Sequence, residues 1–217
     1  MTRSLLAHHP EVGSALRPAN DAQRARLLDA MIRVVAERGY AAASVTDVVR
    51  AAAVSRSTFY ELFASKEACF LEAYRVGVDV VDERVGAAVR EVAHDWRAQL
   101  RAGIRAYLQA LDDDPAFTRA YLLEIHAAGP AALEARADAL RRFSERYHAS
   151  FEQARAEDAA LSEPPPDALL VLCAGTEQLL AERAREGRLD GLGELEDVFC
   201  FCAEAVILGP PTTNRGD

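Results

Sequence analysis

The chain has 217 residues, 50% of them hydrophobic, which is enough to bury a substantial core in one large or two modest domains. Its formal net charge of -9 argues at first sight against a polyanionic partner, but residues 1–75 hold ten Arg/Lys against eight Asp/Glu and residues 76–217 hold fifteen against twenty-six. A balance of +2 followed by -11 favours a nucleic-acid-facing N-terminal part and an acidic body that stays off the duplex.

In chain order, residues 1–19 carry Pro10, Gly13, Pro18 and scattered charges and are expected to form a flexible arm. Asn20 and Gln23 start a helix whose apolar face is Leu27, Leu28, Met31, Ile32 and Val35, ending at Gly39. Arg24 and Arg26 near its start suit either phosphate contacts or a solvated face. Ser44 and Asp47 then have the spacing of a capping box. Val45, Val48 and Val49 form the apolar stripe of the short helix that follows. After Ala51-Ala52-Ala53-Val54 a second cap stands at Ser55, leading Arg56-Ser57-Thr58-Phe59-Tyr60-Glu61-Leu62-Phe63. Phe59, Leu62 and Phe63 share one face, while Arg56, Ser57 and Tyr60 lie on others.

Two helices of about two turns joined by a tight turn make a helix-turn-helix, whose second helix enters a DNA major groove. The residue types suit that use. Arg56 can pair bidentately with guanine, Ser57 and Thr58 can reach base edges or a thymine methyl, and Tyr60 can reach a phosphate. Lys66, the single lysine of the chain, starts the next helix beside the same groove.

The run from Thr46 to Tyr74, TDVVRAAAVSRSTFYELFASKEACFLEAY, resembles the DNA-binding domain of the TetR family of one-component transcriptional regulators. The resemblance covers about a quarter of the chain, from Arg24 to Tyr74. It implies DNA contacts from Ser44, Thr46, Arg56, Ser57, Thr58 and Tyr60, with Ser55 counted among them, and a phosphate contact from Lys66. Two positions depart from the family pattern. Ala53 stands where Gly is common, and an alanine held at positive φ costs on the order of 1 kcal/mol. Leu62 stands where His or Tyr is common, which removes one possible contact.

From Lys66 to Val92 the apolar pattern runs unbroken, predicting a helix of about six turns that ties the reading unit to the body. Helices follow over Trp96–Leu111, Pro115–His126, Ala131–Glu157, Asp167–Glu186 and Glu194–Leu208. Asp112-Asp113-Asp114-Pro115 could suggest a metal, but neighbouring aspartates diverge and Asp114 before a first-turn Pro is a helix cap. Cys69, Cys173, Cys200 and Cys202 lack zinc-site spacing and are expected to be buried thiols. Trp96, Tyr107, Phe117, Tyr121, Phe143 and Tyr147, with Phe151, are either plain core or the lining of a mostly apolar cavity with Glu124, His126 and His148 as polar groups. The first six aromatics and Glu124 form the candidate ligand set. The last helix has two apolar rows, Leu195/Phe199/Cys202/Val206 and Val198/Phe201/Ala205/Leu208, and so asks for two partners.

The expected fold is all-α with about nine helices: an arm over 1–19, a three-helix DNA-binding domain over 20–70, and a helical ligand-binding and dimerisation domain over 71–217. The family resemblance implies a homodimer through the last two helices, a double-stranded DNA operator and a small-molecule effector that releases the repressor. No cofactor or metal is expected. The alternative is a helical small-molecule-binding protein or an enzyme using the C-terminal cavity, although no phosphate loop, His-x-x-x-His pair or nucleophile motif supports catalysis. No run approaches about 18 apolar residues and no leader pattern opens the chain, so a cytoplasmic location without membrane contact is expected.

Overall fold

The computed structural model describes residues 4, 6, 18–92 and 95–209. Among them are nine α-helices and no strand: α1 (Pro18–Arg38), α2 (Val45–Ala52), α3 (Arg56–Leu62), α4 (Lys66–Arg90), α5 (Trp96–Asp113), α6 (Pro115–Leu122), α7 (Pro130–Glu157), α8 (Ala168–Arg185) and α9 (Glu196–Leu208). The arm expected over 1–19 lies mostly outside the described residues, although Leu6 is described and is buried.

Local signals set α2, α3 and α4, whereas α1 begins at Pro18, two residues before the start expected at Asn20. Ser44 and Asp47 exchange both capping-box bonds at 3.2 Å. Ser55 caps α3 through Thr58 N–H at 3.0 Å, and Ser65 caps α4 through Ala68 N–H at 3.1 Å. Ala53 closes α2 in the left-handed region, with φ 52 and ψ 46. The strained turn expected from its sequence position is therefore present.

Tertiary contacts adjust the later boundaries. The helix expected to reach His126 stops at Leu122 and tightens into a 3-10 turn over Glu124–Ala127. Gly129 at φ 95 and the first-turn Pro130 then redirect the chain into α7. Similarly, Leu192–Leu195 is a 3-10 turn ahead of α9, because Leu192 and Leu195 are both drawn into the core against α5. The three aspartates point three ways. Asp112 accepts from Gly191 N–H at 3.1 Å, Asp113 pairs with Arg84 at 2.8 Å, and Asp114 caps α6 through Phe117 N–H at 2.9 Å.

One buried cluster runs from Leu27 in α1 to Ile207 in α9. The boundary expected near residue 70 falls inside α4, whose first turns pack on α1 and whose remainder packs on α5. Gly77 brings α4 and α6 close, since a Cβ there would stand 2.0 Å from the Phe117 ring. A movement of α6 or α4 is thus felt directly by the helices that carry α3.

In α9 the buried row is Phe199, Cys200, Ala203 and Ile207. Cys202, expected to be a buried thiol, is exposed; Cys69, Cys173 and Cys200 are buried. Most of the second apolar row faces outward: Phe201 is 72% exposed and Val198 43%, beside Val171 of α8 at 68%, while Leu208 packs against the core. No described helix is long and apolar enough to cross a membrane.

Candidate nucleic-acid interface and interior cavity

The outward face of α3 is built by one anchored ring. Phe59 is fully buried and meets Phe63 at 5.7 Å, which fixes the rotation of the helix. That rotation leaves Arg56, Ser57 and Tyr60 exposed and Thr58 half-buried. Arg56 lies over the Tyr60 ring at 5.6 Å and its Nη2 donates to the Tyr60 hydroxyl at 3.4 Å. This contact holds an extended guanidinium fork at the surface without tying it to a carboxylate. The hydroxyls of Ser55, Ser57 and Thr58 form a small cluster, with Ser55 at 2.7 Å from Ser57 and 2.8 Å from Thr58. Ser44 and Thr46 are exposed at the start of α2, although the Ser44 hydroxyl also donates to Asp47 at 2.5 Å.

Lys66 does more than stand at the start of α4. Its ammonium donates to the carbonyls of Tyr40 at 2.7 Å and Ala43 at 3.0 Å, and lies 4.1 Å from the Tyr40 ring centre. Two of its three protons thus fix the α1–α2 linker, leaving one for a phosphate. Tyr40 is gripped from the other side as well. Its N–H donates to Glu124 at 2.7 Å, and Glu124 also lies against Gly39. Arg24 has a structural role that the sequence did not suggest: it pairs with Glu72 of α4 and lies over the Phe63 ring at 4.7 Å, stapling α1, α3 and α4 together.

The body holds a cavity of about 140 Å³ between α4, α5, α6, α7, α8 and α9, open to the surface beside Ala149 and Gln153 of α7. Four of the seven candidate ligand residues line it: Tyr107, Tyr121, Phe143 and Tyr147. The other three stand elsewhere. Trp96 is buried at the start of α5 beneath Arg97, and Phe117 is seated over Gly77 and stacked on Tyr121 at 5.6 Å. Glu124 sits one turn beyond the cavity, on the clasp with Tyr40.

Part of the polar wall comes from α8, a helix without aromatic residues. Glu177 of α8 is only 3% exposed and is held in a two-pronged pair by Arg136, at 2.8 and 2.9 Å. Burial raises its pKa from the usual carboxylate value, and Arg136 partly opposes the rise. The Tyr107 and Tyr121 hydroxyls are hydrogen-bonded to each other, with both pKa values pushed up by burial. Cys173 lies beside them, its thiol pushed up to about 12 by burial, so it stays protonated. A signal for Glu177 was present in the sequence: it falls on the Leu169, Leu172, Cys173, Leu180 stripe, where a lone charge demands a buried partner. No such signal marks the Glu124–Tyr40 bond, whose partners are 84 residues apart.

The chain is thus a helix-turn-helix protein in which a short polar-faced helix is joined through α4 to an all-helical body with an interior cavity. Residues 27–73 match the family described as bacterial regulatory proteins, tetR family. It is similar to the HTH-type transcriptional regulator EthR of Mycolicibacterium smegmatis, with 30% identity over 120 residues, 55% of this chain and 55% of that protein. It is also similar to the HTH-type transcriptional activator FasR of the same organism, with 33% identity over 98 residues, 45% of this chain and 44% of that protein. The chain therefore spans about half the length of the curated relatives it matches. The regulator FadR of Bacillus subtilis, solved in complex with stearoyl-CoA, shares the fold with a TM-score of 0.72 at 18% identity, over 85% of this chain and 98% of that one.

Proposed function

We propose that the protein is a sequence-specific DNA-binding transcriptional regulator, a repressor that leaves a palindromic operator when a small molecule fills the interior cavity. The observation that carries this is the face of α3: Arg56, Ser57 and Tyr60 are exposed and free of carboxylate pairing on a helix locked by the buried Phe59. Ser44, Thr46, Ser55, Thr58 and the remaining proton of Lys66 flank that face. Reading is assigned to residues 20–70, and effector binding and dimerisation to 71–217.

A palindrome calls for two copies. Val171, Val198 and Phe201 give α8 and α9 an outward apolar face, and pairing it with the same face of a second chain makes a four-helix bundle. The spacing of the two α3 helices is then fixed by the body. The cavity reaches α3 by two routes. Val85 and Val89 place α4 on its wall, and the first residue of α4 is Lys66, which holds the α1–α2 linker. Tyr121 places α6 on the wall, one turn before the Glu124 clasp on Tyr40. An effector that displaces either helix tilts α2 and α3, and both half-sites no longer fit together.

The cavity is assigned to recognition and not to catalysis. Glu177 is the single carboxylate on its described wall, and Arg136 engages both oxygens. A protein that reads chromosomal DNA works in the cytoplasm, where thiols stay reduced. The test is a gel shift of the full chain against the intergenic DNA flanking its gene at low salt. A sequence-dependent shift is expected, and a shift no stronger than on scrambled DNA overturns the proposal.

A further inference from the structure

The cavity constrains its occupant in size, charge and shape. Its volume of about 140 Å³ is close to the roughly 150 Å³ of an apolar protein cavity that binds one benzene molecule. Five rings, Tyr107, Tyr121, Phe143, Tyr147 and Phe199, stand around it, and flat walls of this kind favour a flat guest. Two charged side chains reach the wall, and both are already neutralised. Glu177 pairs with Arg136, and Arg146 binds the Asp82 carboxylate at 2.5 Å and its carbonyl at 2.8 Å. An anionic guest would enter with no unpaired cation to receive it, which disfavours carboxylates and phosphates.

Glu177 nonetheless retains acceptor capacity. A carboxylate offers about four lone-pair sites, and Arg136 takes one on each oxygen. A guest that places an O–H against Glu177 gains a charge-assisted hydrogen bond where water is scarce. We propose that the effector is a neutral, single-ring aromatic alcohol of the phenol class, with its ring among the five aromatic side chains and its hydroxyl donating to Glu177. This rests on the reading of the cavity as the effector site. It separates this chain from its structural relative, since a stearoyl-CoA fits neither the volume nor the charge.

The test is calorimetric titration of the full chain, without DNA, with phenol, benzene, benzoate, hexan-1-ol and stearoyl-CoA. Phenol is expected to bind saturably with a Kd below about 1 mM, and benzoate and hexan-1-ol about tenfold or more weakly. Glu177→Gln should weaken phenol about tenfold and leave benzene within about twofold, which separates a lost hydrogen bond from a collapsed cavity. Cys173→Leu, which fills the cavity from the same helix, should abolish binding of both, and it carries the test if the Glu177 variant does not fold. Benzoate binding as tightly as phenol, phenol binding unaffected by Cys173→Leu, or no saturable phenol binding overturns the proposal. Phenol binding that leaves operator affinity unchanged keeps this ligand class and sinks the regulatory reading. Operator release by stearoyl-CoA without phenol binding does the reverse.

Discussion

In α3 the polar side chains face solvent and one aromatic ring is buried; in the body, aromatic rings surround an internal space and a carboxylate, Glu177, is the buried group. The two arrangements are held in different ways. The caps of the head's two short helices link residues a few positions apart, Ser44 with Asp47 and Ser55 with Thr58, although Lys66 and Arg24 add longer-range ties. The body relies on partners far apart in the chain: Arg136 with Glu177, Arg101 and Arg105 with Glu196, Arg146 with Asp82. A surface made by local geometry presents a fixed pattern. An interior made by long-range packing can move as a unit, and α4 and the Glu124–Tyr40 clasp join the two.

The comparison breaks most visibly at Phe117. If this residue is core and not cavity wall, Phe117→Ala should cost about 3–5 kcal/mol of unfolding free energy, measured by urea denaturation. A loss below about 1 kcal/mol would return Phe117 to the ligand set. The clasp comes next. Glu124→Ala leaves the Tyr40 N–H without its acceptor, which should cost about 1–2 kcal/mol and reduce the effect of the effector on operator affinity. Glu124→Gln retains an acceptor and should restore most of both, as read by anisotropy titrations with and without effector.

Smaller effects sharpen the local side of the comparison. Ala53→Gly relieves a left-handed alanine and should stabilise the fold by about 1 kcal/mol, raising the urea midpoint at unchanged slope. Acid should act weakly and in the same sense through one carboxylate of each region, and in the opposite sense through Glu177, whose pKa burial raises. Asp47 is held below its usual 3.8 by the Ser44 hydroxyl, and Glu196 below 4.5 by Arg105 and Arg101. For each, the unfolded chain binds the proton more readily, so its contribution is present above the unfolded pKa and fades as pH falls through the folded one. Thermal melts should therefore decline below about pH 4.5, and Glu196→Gln should flatten part of that decline.

What the sequence disclosed follows the same division. Ser44, Ser55 and Asp114 mark helix starts by their own chemistry, and the outward row Val198, Phe201 and Ala205 follows from helical period alone. The residue at φ 52 was legible because an alanine stands in a turn that favours glycine. The cavity was legible only in part, since an aromatic residue at helical spacing reads alike whether its ring faces a void or a neighbour. Tyr107 lines the space whereas Phe117 fills the gap over Gly77, and the difference lies in a glycine 40 positions earlier. Lys66 was legible as a cation beside the second motif helix and Arg24 as one at the start of α1, but their carbonyl and carboxylate partners depend on how α1 and α4 meet.

The most direct measurement is an anisotropy titration of labelled flanking intergenic DNA with the wild-type chain and Arg56→Ala side by side, each against the same DNA with one half-site scrambled. The account predicts that Arg56→Ala loses about 1–3 kcal/mol of binding and discriminates less at one base pair of each half-site, with an unchanged melting temperature. Equal affinity of the two proteins for the intact site would contradict the claim that α3 reads the operator.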